Sequence, residues 1–429
     1  MKPTNKKDIY QSDEGIIYSI SREEILPLDI DYKRKSGNEY IEDAQFIIDK
    51  VEEMHPYFLT ELYNFEKYEF ARKSFLTKCE KTNYLSFKFH MMEYFKTLCD
   101  GHMCTMPLSS YSLDIELVFA SGMIKLCDEN IIVRRIGNRD ITYLISLIDD
   151  YFYFENESSR TLSIPYYLRD KDFLTFAGCI TSDNVLQVET NVGREAARLS
   201  EKCFIDNKSS DEDFINTRFI DDVLIIEYNS CIMNEQHSKV VKEVINAKKN
   251  GITKYVFDLR KNQGGSAESY EILLDALNIE YPLFGAIVRL SNELLIRGKS
   301  YYKFNKLANN ELAYTFYKPN CTCTNVPDVK LVILTSKYTF SSAMQFACII
   351  SDGRLGYLIG EMPSGAPCSF GDIYEFQTKN LKVPFIVSHK YFLRPDNTKD
   401  CHKLMPNQNI DCTIALEKAI LYLNQKIYN

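Results

Sequence analysis

The sequence has little that would tie it to a membrane or to a polyanion. No run approaches the roughly 18 consecutive apolar residues of a membrane-spanning helix, and the opening MKPTNKKDIYQSDEG has no apolar stretch behind its lysines. The expectation is a chain neither exported by a standard leader nor embedded in lipid. A long basic block is missing too. Lys and Arg number 51 against 59 Asp and Glu, and the formal charge of −8 is spread along the chain, which argues against nucleic acid or an anionic membrane surface as partner. The 13 cysteines are an odd number in a long chain without export signals, so free thiols in a reducing cytoplasm are expected rather than a disulfide framework. No internal repeat or low-complexity segment interrupts the 429 residues, which suffice for two or three domains and a sizeable core.

What is present centres on residues 329 to 351, VKLVILTSKYTFSSAMQFACIIS. Val329 to Leu334 form the short apolar run of a strand buried on both faces. A helix follows, with Ala343, Phe346, Ala347 and Ile350 at i, i+3, i+4 and i+7. Ser341 and Ser342 fall at the turn between them, where the first helical amides lack intrahelical partners. A hydroxyl there is either a nucleophile on a strand-turn-helix elbow or a cap. A second stretch, TKYVFDLRKNQGG at 253 to 265, reads as a strand from Tyr255 to Leu259 running into paired glycines. Tyr270, Leu273, Leu274 and Leu277 mark the next helix. Gly264 and Gly265 thus lie near a helix N-terminus, as an oxyanion-binding turn or as a plain turn closing a strand-helix unit.

FDLRKNQGG followed by LTSKYTFSSAMQFACIISDGRLGYLIGE resembles the catalytic domain of the tail-specific, or C-terminal-processing, serine proteases, a family that includes the tricorn protease core. The likeness extends over most of the chain from about residue 40. Its frame selects Ser341 as nucleophile, puts Phe346 at the family's apolar position and Asp352 at the polar residue that closes the helix, and has Met344 where the family carries glutamate. The implied fold is α/β, a ClpP/crotonase-like catalytic core with an N-terminal helical segment and a PDZ-like β-rich module.

Residues 1 to 104 read as the helical segment. Ile41, Ala44, Ile48 and Val51 share one face ahead of Met54-His55-Pro56, a second helix spans Ser86 to Leu98, and a turn follows at Cys99-Asp100-Gly101-His102. The family branch that uses histidine instead of lysine carries it in a similar D-G-H turn, which makes His102 the implied general base. On residue type alone it is equally an exposed turn histidine. As a metal ligand with Cys99 and Cys104 it lacks a matching second pair, so neither metal nor cofactor is expected. His55 reads as structural. The branch that uses lysine would need one near Ala366, and none occurs between Lys337 and Lys379.

Residues 105 to 205 read as short strands, Ile115 to Phe119, Ile131 to Arg135 and Thr161 to Tyr167, in the place of the PDZ-like module. Such a module binds a peptide terminus by strand addition; a β-rich spacer without a ligand is the other reading. The polar segment Asp206 to Asp213 marks the boundary to a catalytic core at 206 to 429. There, a strand at Val223 to Tyr228 and a helix at Glu235 to Lys249 open a parallel α/β pattern. Residues 281 to 327, rich in Tyr301, Tyr302, Phe304, Tyr314, Phe316 and Tyr317, read as an inserted subdomain with its own small core, or as the lining of a substrate cleft. A final amphipathic helix carries Leu416, Ala419, Ile420 and Leu423.

By rough alignment with the family's closing segment, Asp400 is the implied acid, although Gly101 stands where tricorn-like members relay through a serine. The resemblance therefore implies a cytoplasmic serine peptidase. Ser341 attacks, His102 shuttles the proton, Asp400 orients the imidazole, and the amides of Gly264 or Gly265 and of Ser342 hold the oxyanion. The partner is a peptide or protein substrate, with homo-oligomer formation left open. The alternative is a catalytically inactive peptide-binding relative of the same fold. Acyl-CoA chemistry on the crotonase scaffold fits an elbow serine and a separate histidine less well.

Overall fold

The computed structural model describes residues 7–12, 15–21, 38–103, 109–127, 131–180, 184–201, 214–297, 311–323, 325 and 327–425. Apolar runs decide its central sheet. Val223–Tyr228, Lys254–Asp258, Lys330–Thr335 and Tyr357–Gly360 pair in parallel, with Ile225 opposite Val256 and Val256 opposite Val332. Gln408–Asn409 extends one edge in parallel and Ile215–Ile220 closes the other antiparallel. Side chains alternate between faces along a strand, so each run feeds two cores. Leu224, Ile226, Tyr255, Phe257 and Ile333 point to one, together with Val240, Leu273, Phe346 and Ile350 from three helices. Val223, Ile225, Val256, Val332 and Ile359 point to the other, covered by Ala415, Ala419 and Leu423 of the Ala415–Asn424 helix.

A second, antiparallel sheet has the order Lys7–Ser12, Gly15–Ser21, Glu311–Tyr317, Gly285–Leu290, Pro384–Leu393, Ser369–Gln377. The expectation of an inserted subdomain at 281 to 327 is corrected by this pairing, although the segment does have a small core of its own in Ala286, Val288, Leu290 and Ala313. Gly285–Leu290 and Glu311–Tyr317 occupy the middle of a six-stranded sheet, and Leu294 and Leu312 belong to the large core described next. Tyr301, Tyr302 and Phe304 lie outside the described residues, as do Cys104 and the proposed boundary at Asp206 to Asp213.

From residue 39 the N-terminal segment is helical, as its periodicity predicts, but the helical reading of 1 to 104 is corrected at its start, where Lys7–Ser12 and Gly15–Ser21 are strands of the second sheet. Glu39–Met54, Phe65–Cys79 and Tyr84–Lys96 each begin at an asparagine, Asn38, Asn64 and Asn83, whose side chain accepts from first-turn amides. Pro56 ends the first helix and opens a short 3-10 turn. From 105 to 205 the strand reading needs revision. A five-stranded antiparallel sheet is present, in the order Tyr111–Leu113, Arg194–Glu201, Val185–Thr190, Val133–Ile136, Arg139–Asp140. Thr161 to Tyr167, however, lies inside the helix Glu157–Arg169, which is flanked by Ile141–Tyr151 and Lys171–Phe176. The buried residues Ile164, Tyr167 and Leu168 recur at helical spacing, and Asn156 caps the start. One core joins this region, the N-terminal helices and the second sheet, with Phe89 stacked on Phe176 and Phe385 and Val387 packed among them. Each fully buried ring of this kind contributes about 2 to 3 kcal/mol relative to exposure.

Candidate active site

Two turns meet at the carboxyl ends of Lys254–Asp258 and Lys330–Thr335. Their union is held by side chains that a strand-helix turn would otherwise leave exposed. Thr339 is fully buried; its Oγ1 accepts from the Ser336 amide at 3.0 Å and donates to the Leu259 carbonyl at 2.9 Å. Asn262, also fully buried, donates from Nδ2 to the Tyr228 carbonyl at 2.9 Å and accepts from the Gly264 amide at 2.8 Å, while its own carbonyl accepts from the Phe340 amide at 3.1 Å. Ser342 Oγ donates to the Gly265 carbonyl at 2.7 Å. Gly264 has φ +104, and an added Cβ would lie 2.7 Å from the Cβ of Ser341, so only glycine lets the two turns approach this closely.

Ser341 opens its helix with φ +51, a left-handed conformation that a non-glycine residue adopts at a cost and that gathers at functional turns. The residue before it, Phe340, occupies the N-cap without a side-chain cap bond. Neither serine serves as that cap: Ser342 turns to Gly265, and Ser341 Oγ lies 3.2 Å from His102 Nε2. The structure thus brings together the two residues picked out by separate motifs, 239 positions apart. Met344 packs in the core beneath, beside Phe346 and Ala347.

His102 sits in a turn fixed from behind by Asp100. This carboxylate is wholly buried; Oδ1 accepts from the His102 amide at 2.8 Å and the Met103 amide at 3.4 Å, and Oδ2 pairs with His55 Nε2 at 3.1 Å. His55 Nδ1 accepts from the Tyr57 amide, so its proton resides on Nε2 and is donated to Asp100. Burial opposes ionisation of Asp100, but the hydrogen bond from His55 and the facing His102 hold its pKa below the ordinary value. Burial is also the main influence on His102 and lowers its pKa; the Asp100 charge and a hydrogen bond to the Phe370 backbone oppose that shift. The Phe340 ring packs 4.9 Å from the imidazole, centroid to centroid.

The remaining expected residues are placed as follows. The Gly264 amide is engaged by Asn262, whereas the Gly265 and Ser342 amides have no acceptor among the described residues. Gly265 has φ +136. Asp400 is not brought to the imidazole. It is exposed, and its Oδ1 accepts from the His402 and Lys403 amides at 2.7 and 3.2 Å, the geometry of a carboxylate closing its own turn. Arg394 anchors that turn, donating to the Asp400 carbonyl at 2.6 Å while forming a buried bidentate pair with Asp352.

The carboxylates near His102 Nδ1 are instead Asp100 at 3.8 Å and Glu155 at 4.0 Å. Glu155, Asn262 and Phe370 were not foreseen from the sequence. Asn262 lies within the quoted FDLRKNQGG motif, and the bare Gly101 was the one trace of Glu155. No group of three or more His, Cys, Asp and Glu side chains able to hold a metal occurs among the described residues.

A cleft of about 370 Å³ opens between the helices that follow the two turns and the second sheet, lined by Ala267, Tyr270, Phe284, Tyr317, Gln345 and Phe392 among others. Gln345 is one turn beyond Ser341. Phe392 packs on Gly371, where a Cβ would meet its ring at 3.2 Å and His102 Cε1 at 3.6 Å. Neither Ser341 nor His102 lines the cleft, which reaches the serine helix only at Gln345 and Ile349.

A sequence model of the family described as Peptidase family S41 matches residues 222–404. Among solved structures, mature CPAF superposes with a TM-score of 0.60 at 11% identity, over 90% of this chain and 95% of that one. Mature CPAF complexed with lactacystin gives 0.61 at 10% identity, over 90% and 97%. The photosystem II D1 C-terminal processing protease gives 0.44 at 9% identity, over 91% and 98%. No curated protein matches the chain.

Proposed function

We propose that this chain, a serine-type peptidase, hydrolyses peptide bonds with Ser341 as nucleophile and His102 as general base, in the manner of the histidine-using branch of its family. The observation that carries the reading is the 3.2 Å separation of Ser341 Oγ and His102 Nε2 at a turn where Ser341 is held at φ +51. As Oγ attacks the carbonyl carbon, its proton passes to Nε2, and the imidazolium then returns that proton to the leaving amine. The carbonyl oxygen, now negative, is received by the amides of Gly265 and Ser342, the two donors at this spot without a partner among the described residues. The Asp100 charge favours the imidazolium. Met344, buried in the core, removes no group from the reacting pair, so the departure from glutamate is compatible with activity.

The substrate is a peptide or protein, and the aromatic-lined cleft at Gln345, one helical turn past the serine, suits an apolar side chain of it. In the same reading, the core is of the ClpP/crotonase type, the five-stranded sheet of residues 111–201 is the counterpart of a PDZ-like module that captures a peptide end, and the chain works in the cytoplasm. Titrating the Ser341→Ala protein with peptides bearing free or amidated C-termini tests the module, and equal affinity for the two removes it from the proposal.

The site itself is tested with a fluorophosphonate probe and a peptide-hydrolysis assay. Labelling should map to Ser341, and Ser341→Ala or His102→Ala should lower turnover by about 10⁴-fold or more. Unchanged hydrolysis by Ser341→Ala refutes the assignment.

A further inference from the structure

We propose that Glu155 is the positioning residue for His102, holding the imidazole for proton uptake and, in its ionised form, balancing the charge of the ring once it carries the serine proton. This rests on His102 being the base. Glu155 is 6% exposed and belongs to the segment between the helices Ile141–Tyr151 and Glu157–Arg169, far in sequence from both motifs. One carboxyl oxygen, Oε2, is fixed by the Ala366 amide at 2.6 Å. The other, Oε1, has no hydrogen-bond partner among the described residues and stands 4.0 Å from His102 Nδ1. A buried carboxyl oxygen left without a donor is costly, and such groups persist where a role is attached to them.

Gly101 supplies the space. A Cβ there would lie 2.5 Å from Oε1 and 2.7 Å from Cγ of Glu155, so any side chain at position 101 would displace the carboxyl from the imidazole. The loop that carries Ala366 is tied to the serine turn as well. The Ser364 amide donates to the Thr339 carbonyl at 3.1 Å, and Asn156 Nδ2 donates to the Pro363 carbonyl at 3.1 Å. Glu155 is therefore set by the same loop that braces Ser341, which fixes its place relative to both reacting groups.

The titratable groups facing Glu155 are Asp100 and His102 of the turn and Tyr153 on its own segment. Burial first, then the Asp100 charge, push the Glu155 pKa up to about 8, against the Ala366 amide, which lowers it. The carboxyl is consequently protonated at neutral pH and ionised in mild alkali, where an anion beside Nδ1 favours imidazolium formation. The raised pKa predicts two rising limbs in the rate, one from His102 below neutrality and a second near pH 8 from Glu155.

The test is the rate of Ser341 labelling by a fluorophosphonate, followed from mildly acidic to alkaline pH in the full chain and in Glu155→Gln and Glu155→Asp, with thermal melting as a check of folding. The expected result is a second limb in the wild type, lost in Glu155→Gln with a fall of at least about tenfold on the alkaline side, and retained at lower amplitude in Glu155→Asp. A folded Glu155→Gln that keeps the wild-type profile overturns the proposal while leaving Ser341 and His102 in place. So does a wild-type profile with a single limb, which needs no variant to fold. A wild type in which Ser341 never labels overturns both this inference and the reading it rests on.

Discussion

Replacing Asp100 by asparagine should cost about 3 kcal/mol of folding stability although the side chain barely changes shape. The Tyr57 amide donates to His55 Nδ1, which leaves His55 Nε2–H as a donor aimed at Asp100 Oδ2. In Asp100→Asn, an amide nitrogen at that position faces Nε2–H donor to donor. Turning the amide over instead sets its nitrogen against the His102 and Met103 amides, which donate to Oδ1. Either orientation forfeits a hydrogen bond to a charged group, worth about 1.5 to 3 kcal/mol, and buries an unsatisfied donor, worth about 1 to 3 kcal/mol, with partial overlap between the two. Asp100→Ala removes every acceptor and should cost more, about 4 to 5 kcal/mol, within the range for breaking a buried pair. Against a total of roughly 5 to 15 kcal/mol these losses are large.

Urea unfolding followed by far-UV circular dichroism reads them directly. The pH dependence has a definite sign. Because Asp100 is held below its ordinary pKa in the fold, its contribution is complete above the unfolded value of about 3.9 and fades as pH falls through the lower folded value, so the gap between wild type and Asp100→Asn should narrow only in strong acid. An Asp100→Asn protein within about 1 kcal/mol of wild type at neutral pH would refute the tautomer argument.

Three further outcomes are expected. Burial holds His102 below its ordinary pKa, so the lower limb of the rate profile should rise with increasing pH through a midpoint under 6.5; a midpoint above neutrality contradicts that environment. Gly265→Ala forces a Cβ onto the Cys231 carbonyl at φ +136 and should reduce kcat by about 10² to 10³-fold, and activity within tenfold of wild type would remove this amide from the oxyanion site. Asp400→Asn should leave kcat/KM within about twofold, since its carboxylate serves only the amides of its own loop; a loss beyond about tenfold would return it to the role implied by the family resemblance.

Features written in adjacent residues were legible before folding. The Val223 to Tyr228 strand, the Glu235 to Lys249 helix and the helix after Ser341 follow from local periodicity, and their limits in the structure match that reading closely. Ser341 and His102 could be singled out because each sits in a short motif of its own. Thr161 to Tyr167 was misread because a short run containing Ile164, Pro165 and Tyr167 fits a strand as well as a helix, and only the Asn156 cap and the buried neighbour Leu168 decide it. The segment from 281 to 327 was misplaced because its partners, Pro384–Leu393 and Gly15–Ser21, are remote in sequence. Glu155 left no mark of its own, since its approach to the imidazole depends on a side chain that residue 101 does not have.

The proposed nucleophile and base are seated in different parts of the interior. Ser341 rides on a helix rooted among Ala343, Met344 and Phe346, whereas His102 is bracketed by Leu98, Met103 and Phe370 of the separate, larger cluster. Under the proposed mechanism, hydrolysis gauges how well the two packed masses stay seated along their seam. Gentle denaturation that loosens the seam by an ångström or two should extinguish turnover while circular dichroism still reports both masses intact, and the interval between those two transitions measures the adhesion between them.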